Sequence, residues 1–474
     1  MKFFSRYRPL YLRSLVYMLQ ANIYDVKPYI LWINRTRDFR NVMIRKKLVM
    51  TTKARLLLLW AYILTAILAS GSALLVMSIE TGWIKIVVAL ILIMEIPIMV
   101  AYGLIIPLIA GTALIQKPRE KKIVAAARKK LASHKGIKIA IAGSFGKTTM
   151  KEILLATLSE GKKVAATPGN MNTPLGIRRF VDRLDGDEEV LIFELGEYYP
   201  GDIRELCNLV KPDIGVITGI NEAHLERFKT IDRTIATIYE LADYLGNKPL
   251  WVNGESELVA QNIRSGNKSY NRKGVGKLKV QHAKTGLAGT DFQIVGGGSK
   301  LRLHSDLLGL HNIGPLSASV AIADYLKLTA KQIEAGIAKT RPFEHRMQPA
   351  EAGGIWTIDD SYNGNPDGAR VAIEFLSDIN DHRRVYVTPG LVEVGSAKQA
   401  VHTQMGLELS KAVDVVVLVK NSATPYIEEG LKAGGYKGDV LWYDDALSCL
   451  NALPQITKPG DVVLLQNDWT DNYA

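Results

Sequence analysis

Residues 143–149 read "GSFGKTT", between an apolar β-branched run, "IKIAIA" (137–142), and an amphipathic one, "MKEILLATL" (150–158). That arrangement suits phosphate. Gly143 and Gly146 let backbone amides approach phosphate oxygens, Lys147 neutralises charge on the β- and γ-phosphates, and the Thr148 hydroxyl is an oxygen ligand for Mg²⁺. Ser144, Phe145 and Thr149 complete the loop. The first glycine of the usual G-x-x-x-x-G-K-[ST] pattern would fall at Ile141, so the loop is shortened and does not by itself decide a nucleotide site. Two other residues bear on it. Glu194 sits at the end of the apolar run "VLIFEL", and His224 follows the next one, in "GINEAHLERF". Strand C-terminal ends in a parallel sheet share a crevice, so Glu194 and His224 can converge on the loop and hold metal with Thr148. Alone, His224 reads as an ordinary surface or core histidine. A GTPase or protein kinase is excluded: "NKPL" (247–250) lacks the acid of a guanine-reading motif, and no H-R-D or D-F-G run occurs.

These residues need a strand-and-helix scaffold, and the pattern supplies one. Met150, Ile153, Leu154 and Leu158 fall on one face of a helix after the loop, which Gly161 stops. Short β-branched runs alternate with helical segments: 137–142, 190–195 and 213–218, then "GIWTI", "RVYVT", "DVVVLV" and "DVVLL". Such alternation predicts an α/β fold with parallel sheets. Between Gly266 and Ser305 the alternating, glycine-rich text predicts an antiparallel flap on the first sheet. A break at "TRPFEHRMQP" (340–349) then restarts the alternation in a second, Rossmann-like α/β domain.

The first third of the chain is different. Leu56 to Met77 and Ile86 to Ile115 are apolar runs long enough for a hydrocarbon core of about 30 Å, which takes about 20 residues. They predict a two-helix transmembrane hairpin. Glu95, Pro97 and Pro107 in the second run read as a kinked helix with one carboxylate facing the helix pair, or as a substrate path. Residues 1–55 hold thirteen Lys/Arg against two acids, and 117–138 nine against one. Basicity thus flanks the membrane, which places both flanks and the catalytic domains in the cytoplasm, at the inner membrane, and removes the main support for nucleic-acid binding. The expected organisation is a basic N-terminal segment (1–55), two spans (56–116), a basic linker (117–136), an ATP-binding domain (137–345) and a C-terminal domain (346–474). Cys207 and Cys449 are far apart, in no disulfide or zinc pattern.

The loop, "TPGNMNTPLG" (167–176), "ELGEYYPGDI" (194–203), "DIGVITGINEAHLERF" (213–228), "GLHNIG" (309–314), "EHRM" (344–347) and "IDDSYNGNPDGAR" (358–370) together resemble the Mur ligases, ATP-dependent amide ligases of peptidoglycan synthesis. The "DDSYNxNP" and "GNxN" runs are similar to those of the member that adds D-alanyl-D-alanine to a UDP-muramoyl tripeptide. The resemblance implies ATP and Mg²⁺ as cofactors, and a peptidoglycan precursor and a dipeptide as substrates. It implies catalytic roles for Lys147, His224 and Arg346. Thr148 and Glu194 would hold one Mg²⁺ and His224 a second. His311 and Asn312 would contact adenine, Arg346 the phosphates and Asp360 the ribose, with Tyr362 and Asn363 on the nucleotide side. Asn170, Asn172 and Asn365 would face substrate. "HN" before an apolar helical run is also a helix cap, and an asparagine-rich loop is also turn chemistry.

The chain departs from the family in places. A metal-bridging carbamylated lysine would stand at Ile238, which cannot ligate metal. "VTPGLVEVG" (387–395) and "LLQNDWTDNY" (464–473) replace the family's runs where the incoming amine binds. The basic stretch before the loop leaves no room for the family's UDP-sugar-binding domain, so the hairpin either presents a lipid-linked substrate, with membrane lipid as partner, or only tethers the enzyme. The alternatives are a relative acting on a lipid-linked or poly-glutamate substrate, and a non-catalytic ATP-binding membrane scaffold. Nothing in the spacing fixes the oligomeric state.

Overall fold

A computed structural model describes residues 11–22, 24–36, 39, 48–169, 171–221, 228–361, 364–391, 394 and 397–466. Two compact units, 1–123 and 124–474, divide the chain.

In the first unit, α3 (Thr52–Met77) and α4 (Gly82–Gly103) are the two long apolar helices expected from the hydropathy, and they pack against each other. The helical run continues through α5 (Ile105–Gly111) and one π turn at Thr112–Gln116 into α6 (Lys117–Ser133), so the predicted basic linker is a helix. Pro107 has no N–H to give the Gly103 carbonyl, four residues back. The Trp60 indole N–H takes that place at 3.1 Å, and the Tyr29 hydroxyl donates to the Ala101 carbonyl at 3.2 Å. A helix broken in an apolar surrounding needs such substitute donors. Glu95 is exposed on α4 rather than turned toward the helix pair, because the packed face carries Val100, Ala101 and Leu104 instead.

The N-terminal segment is more than a basic extension. α1 (Tyr11–Ala21) sets Leu12, Leu15, Val16 and Leu19 at helical spacing on one face, and α2 (Val26–Arg35) adds Tyr29 and Ile33. Both bury these side chains against Ala54, Leu57, Leu58 and Ala61 of α3 and against Val100, Ala101, Leu104 and Leu108. Its core therefore runs across the predicted boundary at residue 55. Only Arg13, Asp25, Lys27 and Arg35 are charged in 11–35, so the stripe stands in the sequence, and a charge count over 1–55 as a whole passes over it.

The second unit holds two sheets. The first contains β1 (Ile137–Ala142), β2 (Val164–Ala166), β3 (Val190–Glu194), β4 (Ile214–Ile217), β5 (Leu250–Asn253), β6 (Lys268–Asn271), β7 (Gly274–Val275), β8 (Leu278–Gly286), β9 (Gly289–Gly296) and β10 (Ser299–Ser305). They lie in the order β10-β9-β8-β7-β6-β5-β4-β1-β3-β2. The stretch from β2 to β6 is parallel, and β7 to β10 form the antiparallel extension expected from the glycine-rich text. Helix α7 (Lys147–Leu158) covers one face, burying Met150, Ile153, Leu154 and Leu158, while α8 (Pro174–Val181), α9 (Asp202–Val210) and α10 (Ile231–Leu245) cover the other.

The second sheet has the order β11-β12-β16-β13-β14-β15, from β11 (Gln348–Ala352), β12 (Ile355–Asp360), β13 (Arg383–Thr388), β14 (Val415–Val419), β15 (Asp439–Tyr443) and β16 (Asp461–Gln466). All its pairings are parallel except the edge pair β11–β12, in keeping with a Rossmann-like domain. Helices α11 (Pro366–Asp378) and α12 (Lys398–Ala412) pack on it. Arg272, in the β6–β7 turn, grips Glu374 of α11 through both guanidinium nitrogens, and Asn221 donates to Asp367 at 3.3 Å. These contacts join the two sheets' domains. Between the sheets, His345 and Met347 hold left-handed φ of 60° and 46° on either side of Arg346, a conformation that costs non-glycine residues energy.

Candidate active site

β1 lies between β3 and β4; the chain leaves β1 toward β2 and leaves the neighbouring β3 in the opposite direction toward β4, so a crevice opens beyond the C-terminal ends of these strands. The phosphate loop fills its mouth. Ser144 N donates to the Gly219 carbonyl at 2.6 Å, Thr218 Oγ1 donates to the Phe145 carbonyl, and Phe145 bridges to Gly219, fastening the loop to the end of β4. Gly146 caps α7 with φ at 77°, a conformation glycine adopts without strain, and no side chain caps that helix. Its first amides therefore remain as anion donors. Ser144 Oγ is buried with no hydrogen-bond partner among the described residues, as a hydroxyl waiting on a phosphate oxygen would be.

The charged groups meet at the end of β3. Thr148 Oγ1 donates to Glu194 Oε2 at 3.0 Å, and Asn172 Nδ2 donates to Glu194 Oε1 at 3.3 Å. Lys151 Nζ lies 3.5 Å from Glu194 Oε2 and donates to the Gly169 carbonyl at 2.8 Å. Lys147 Nζ donates to the Gly143 carbonyl and, at 2.9 Å each, to both carboxylate oxygens of Glu197. Burial raises the Glu197 carboxyl above the usual range, against the pull of Lys147. The Thr148–Glu194 pair offers the hard oxygen donors that Mg²⁺ prefers, so the residues fit a magnesium–phosphate group. When bound, the ion would neutralise phosphate charge and orient the γ-phosphoryl group.

The sequence motifs come together in part. The loop residues, Thr148, Glu194 and Asn172 form one cluster. Asn172 is buried and supports Glu194, in place of the substrate-facing position that the resemblance implies. Thr149 lies half-buried in the first turn of α7. Asn365 is committed to capping α11, accepting the Gly368 amide at 2.9 Å. Asn312 donates from its side chain to the Leu308 carbonyl, so the expected side-chain cap on the following helix is not made. Asp360 accepts from Met347 N at 3.1 Å and Gln466 Nε2 at 2.7 Å; burial pushes it up to about 6, with Gln466 and the nearby Arg346 pulling the other way. Ile238 is fully buried in the core on α10, and Glu240 caps α9 through the Arg204 amide at 2.9 Å. His224, Asn170, Tyr362 and Asn363 lie outside the described residues. Glu197 and Lys151 were not singled out in the sequence. Their signals were a second acid three residues beyond Glu194 and a lysine one helical turn after Lys147.

Burial, with the Arg272 charge beside it, pulls His311 down to about 4. Unfolded histidine takes up its proton near 6.5, so between these values the unfolded chain holds the extra proton and stability rises with pH. The contribution is therefore complete above 6.5 and lost on acidification toward 4. Going from pH 7 to 5, the protein should lose about 2 kcal/mol more stability than a His311→Gln variant, measured by urea unfolding.

Comparison with known proteins identifies both domains of the second unit. Residues 141–323 match the Mur ligase middle domain, and residues 345–466 the Mur ligase glutamate ligase domain. The UDP-N-acetylmuramoyl-tripeptide--D-alanyl-D-alanine ligase of Bacillus subtilis is 24% identical over 339 residues, 69% of this chain and 72% of that one. Its Escherichia coli namesake is 28% identical over 296 residues, 58% of this chain and 62% of that one. MurF ligase from Thermotoga maritima in complex with ADP superposes with a TM-score of 0.65 at 25% identity, over 74% of this chain and 80% of that one. MurF from Acinetobacter baumannii, at 23% identity, has the same fold, with a TM-score of 0.65 over 74% of this chain and 77% of that one. The chain is thus an enzyme of the Mur ligase family, carrying that family's middle domain and glutamate ligase domain in order.

Proposed function

We propose that this chain is a membrane-anchored, ATP-dependent amide ligase of peptidoglycan precursor synthesis, joining D-alanyl-D-alanine to the carboxylate of a muramoyl peptide. The observation that carries the reading is the cluster at the end of β3: Lys147 and Thr148 on the loop with Glu194 3.0 Å from the Thr148 hydroxyl. A carboxylate is a poor electrophile, so its oxygen first attacks the γ-phosphorus of ATP, the bond to the β-phosphate oxygen breaks, and ADP leaves. The amine nitrogen then attacks the resulting acyl phosphate, loses a proton and expels inorganic phosphate. Such chemistry asks mainly for positioning and charge neutralisation. Lys147 would steady the transferred phosphoryl group, and Thr148 and Glu194 would hold Mg²⁺. By family resemblance Arg346 and Asp360 would reach the nucleotide from the C-terminal domain. The activity for which the Bacillus subtilis and Escherichia coli relatives are named, and the ADP held by the Thermotoga maritima neighbour, support this choice of substrates.

The membrane part rests on α3 and α4. Twenty-six residues of α3 rise about 39 Å, more than a hydrocarbon core of about 30 Å. Their apolar side chains lie open, Leu74 at 69% and Met77 at 75% exposure, which suits lipid. The basic flanks orient both ends toward the cytoplasm, and we read α1 and α2 as a brace in the interface. Membranes holding the protein, given ATP, Mg²⁺ and D-alanyl-D-alanine with either a soluble UDP-muramoyl tripeptide or its lipid-linked form, test the whole reading by mass spectrometry of products. The expected result is amine-dependent ADP release with a new amide product, and protein that stays with membranes in alkaline carbonate. ATP binding without amine-dependent turnover would sink the ligase, and release into carbonate would sink the anchor.

A further inference from the structure

Glu197 stands on the segment that leaves β3, and both of its oxygens face the Lys147 ammonium at 2.9 Å. The pair is closed off, with side-chain exposures of 12% for Lys147 and 2% for Glu197. Glu194 is near enough for its charge to act on Glu197, and Lys151 lies 3.5 Å from Glu194. Within the protein, then, two buried carboxylates face two ammonium groups, and Lys151 also lies 3.5 Å from the partly exposed Glu152.

A phosphate gripped by Lys147 upsets that balance. The ammonium must turn to the phosphate oxygens, and Glu197 would keep its charge in a pocket with almost no water, where an unpaired carboxylate is strongly disfavoured. A proton would relieve that cost, but a cation in the ammonium's place relieves it while also neutralising phosphate charge. Thr148 and Glu194, 3.0 Å apart, already offer oxygen ligands beside it. We propose that Glu197 is the internal counter-ion of Lys147 and becomes a ligand of the divalent cation when nucleotide binds, so that gripping ATP and capturing Mg²⁺ are one exchange of partners. Glu197 is in this sense both a brake on metal-free ATP and a metal-positioning residue. The inference rests on the ATP reading of the loop.

Calorimetric titration of the full-length protein with ATP, in EDTA and in excess Mg²⁺, tests it without any turnover. The wild type should bind ATP at least about 100-fold more weakly in EDTA, whereas Glu197→Gln should bind metal-free ATP about tenfold more tightly than wild type and narrow the gap to about tenfold. An equal gap in the two proteins, or no tightening in the variant, overturns the proposal. Wild type that fails to bind ATP even with Mg²⁺ overturns the nucleotide reading itself. A second variant gives an independent answer should Glu197→Gln not fold. Lys147→Ala leaves both carboxylates without their ammonium, so Mn²⁺ alone should raise its thermal midpoint and be seen bound by electron paramagnetic resonance, with neither effect in wild type. Mn²⁺ that leaves Lys147→Ala unchanged overturns the exchange.

Discussion

Replacing Lys147 with alanine should lower ATP-driven amide formation by about 10³-fold or more, since the loop loses its single cation, the group proposed to steady the transferred phosphoryl. Lys151 cannot stand in. Its ammonium is held between the Gly169 carbonyl and Glu194, one helical turn deeper. The variant should also be less stable, because Glu197 is left buried without a partner, and removing one side of a buried ion pair costs about 3–5 kcal/mol. Initial-rate assays of ADP release in the presence of amine, beside thermal unfolding of the same preparation, read both effects. An unchanged rate would remove the phosphate loop from the chemistry.

Glu194→Gln should lower turnover by about 10²- to 10³-fold and raise the Mg²⁺ concentration needed for half-maximal rate. The substitution keeps a carbonyl oxygen able to accept from Thr148, so the fold around the loop survives while the charge on the metal side is lost. Asn172→Ala makes the useful contrast. The Asn172 side chain donates to Glu194 at 3.3 Å, so its loss should cost about tenfold, the usual scale for a group that orients a metal ligand. Magnesium titrations of the three proteins separate the roles. A Glu194→Gln enzyme with the wild-type magnesium requirement would argue that the ion is held elsewhere.

Much of this arrangement is legible before any coordinates. The β1–loop–α7 unit follows from a β-branched run, two glycines and a helical stripe, because local propensity and chain geometry alone specify it. Glu194 is legible because a residue ending a parallel strand must face the crevice. What escapes is set by tertiary packing. Glu197 looks like one more surface acid in "ELGEYY", and only the fold of the segment after β3 turns it back onto Lys147. Asn365 and Asn172 carry recognition-like residue types, yet one spends its side chain on a helix cap and the other on Glu194. The helices at 11–35 escape for the same reason: only Arg13, Asp25, Lys27 and Arg35 are charged there, but the apolar stripe finds its partner only in α3 and the end of α4. Ile238, noted in the sequence only as standing where the family's lysine would be, is fully buried on α10, a core role that its place on an amphipathic helix explains.

The claim on which all else depends is that ATP activates a carboxylate of the acid substrate. Supplying the muramoyl peptide with its reacting carboxylate enriched in ¹⁸O and analysing the inorganic phosphate by mass spectrometry tests it most directly. The account predicts phosphate that carries ¹⁸O from the acid and appears only when the amine is added. Phosphate free of the label, or released at the same rate without amine, would contradict it.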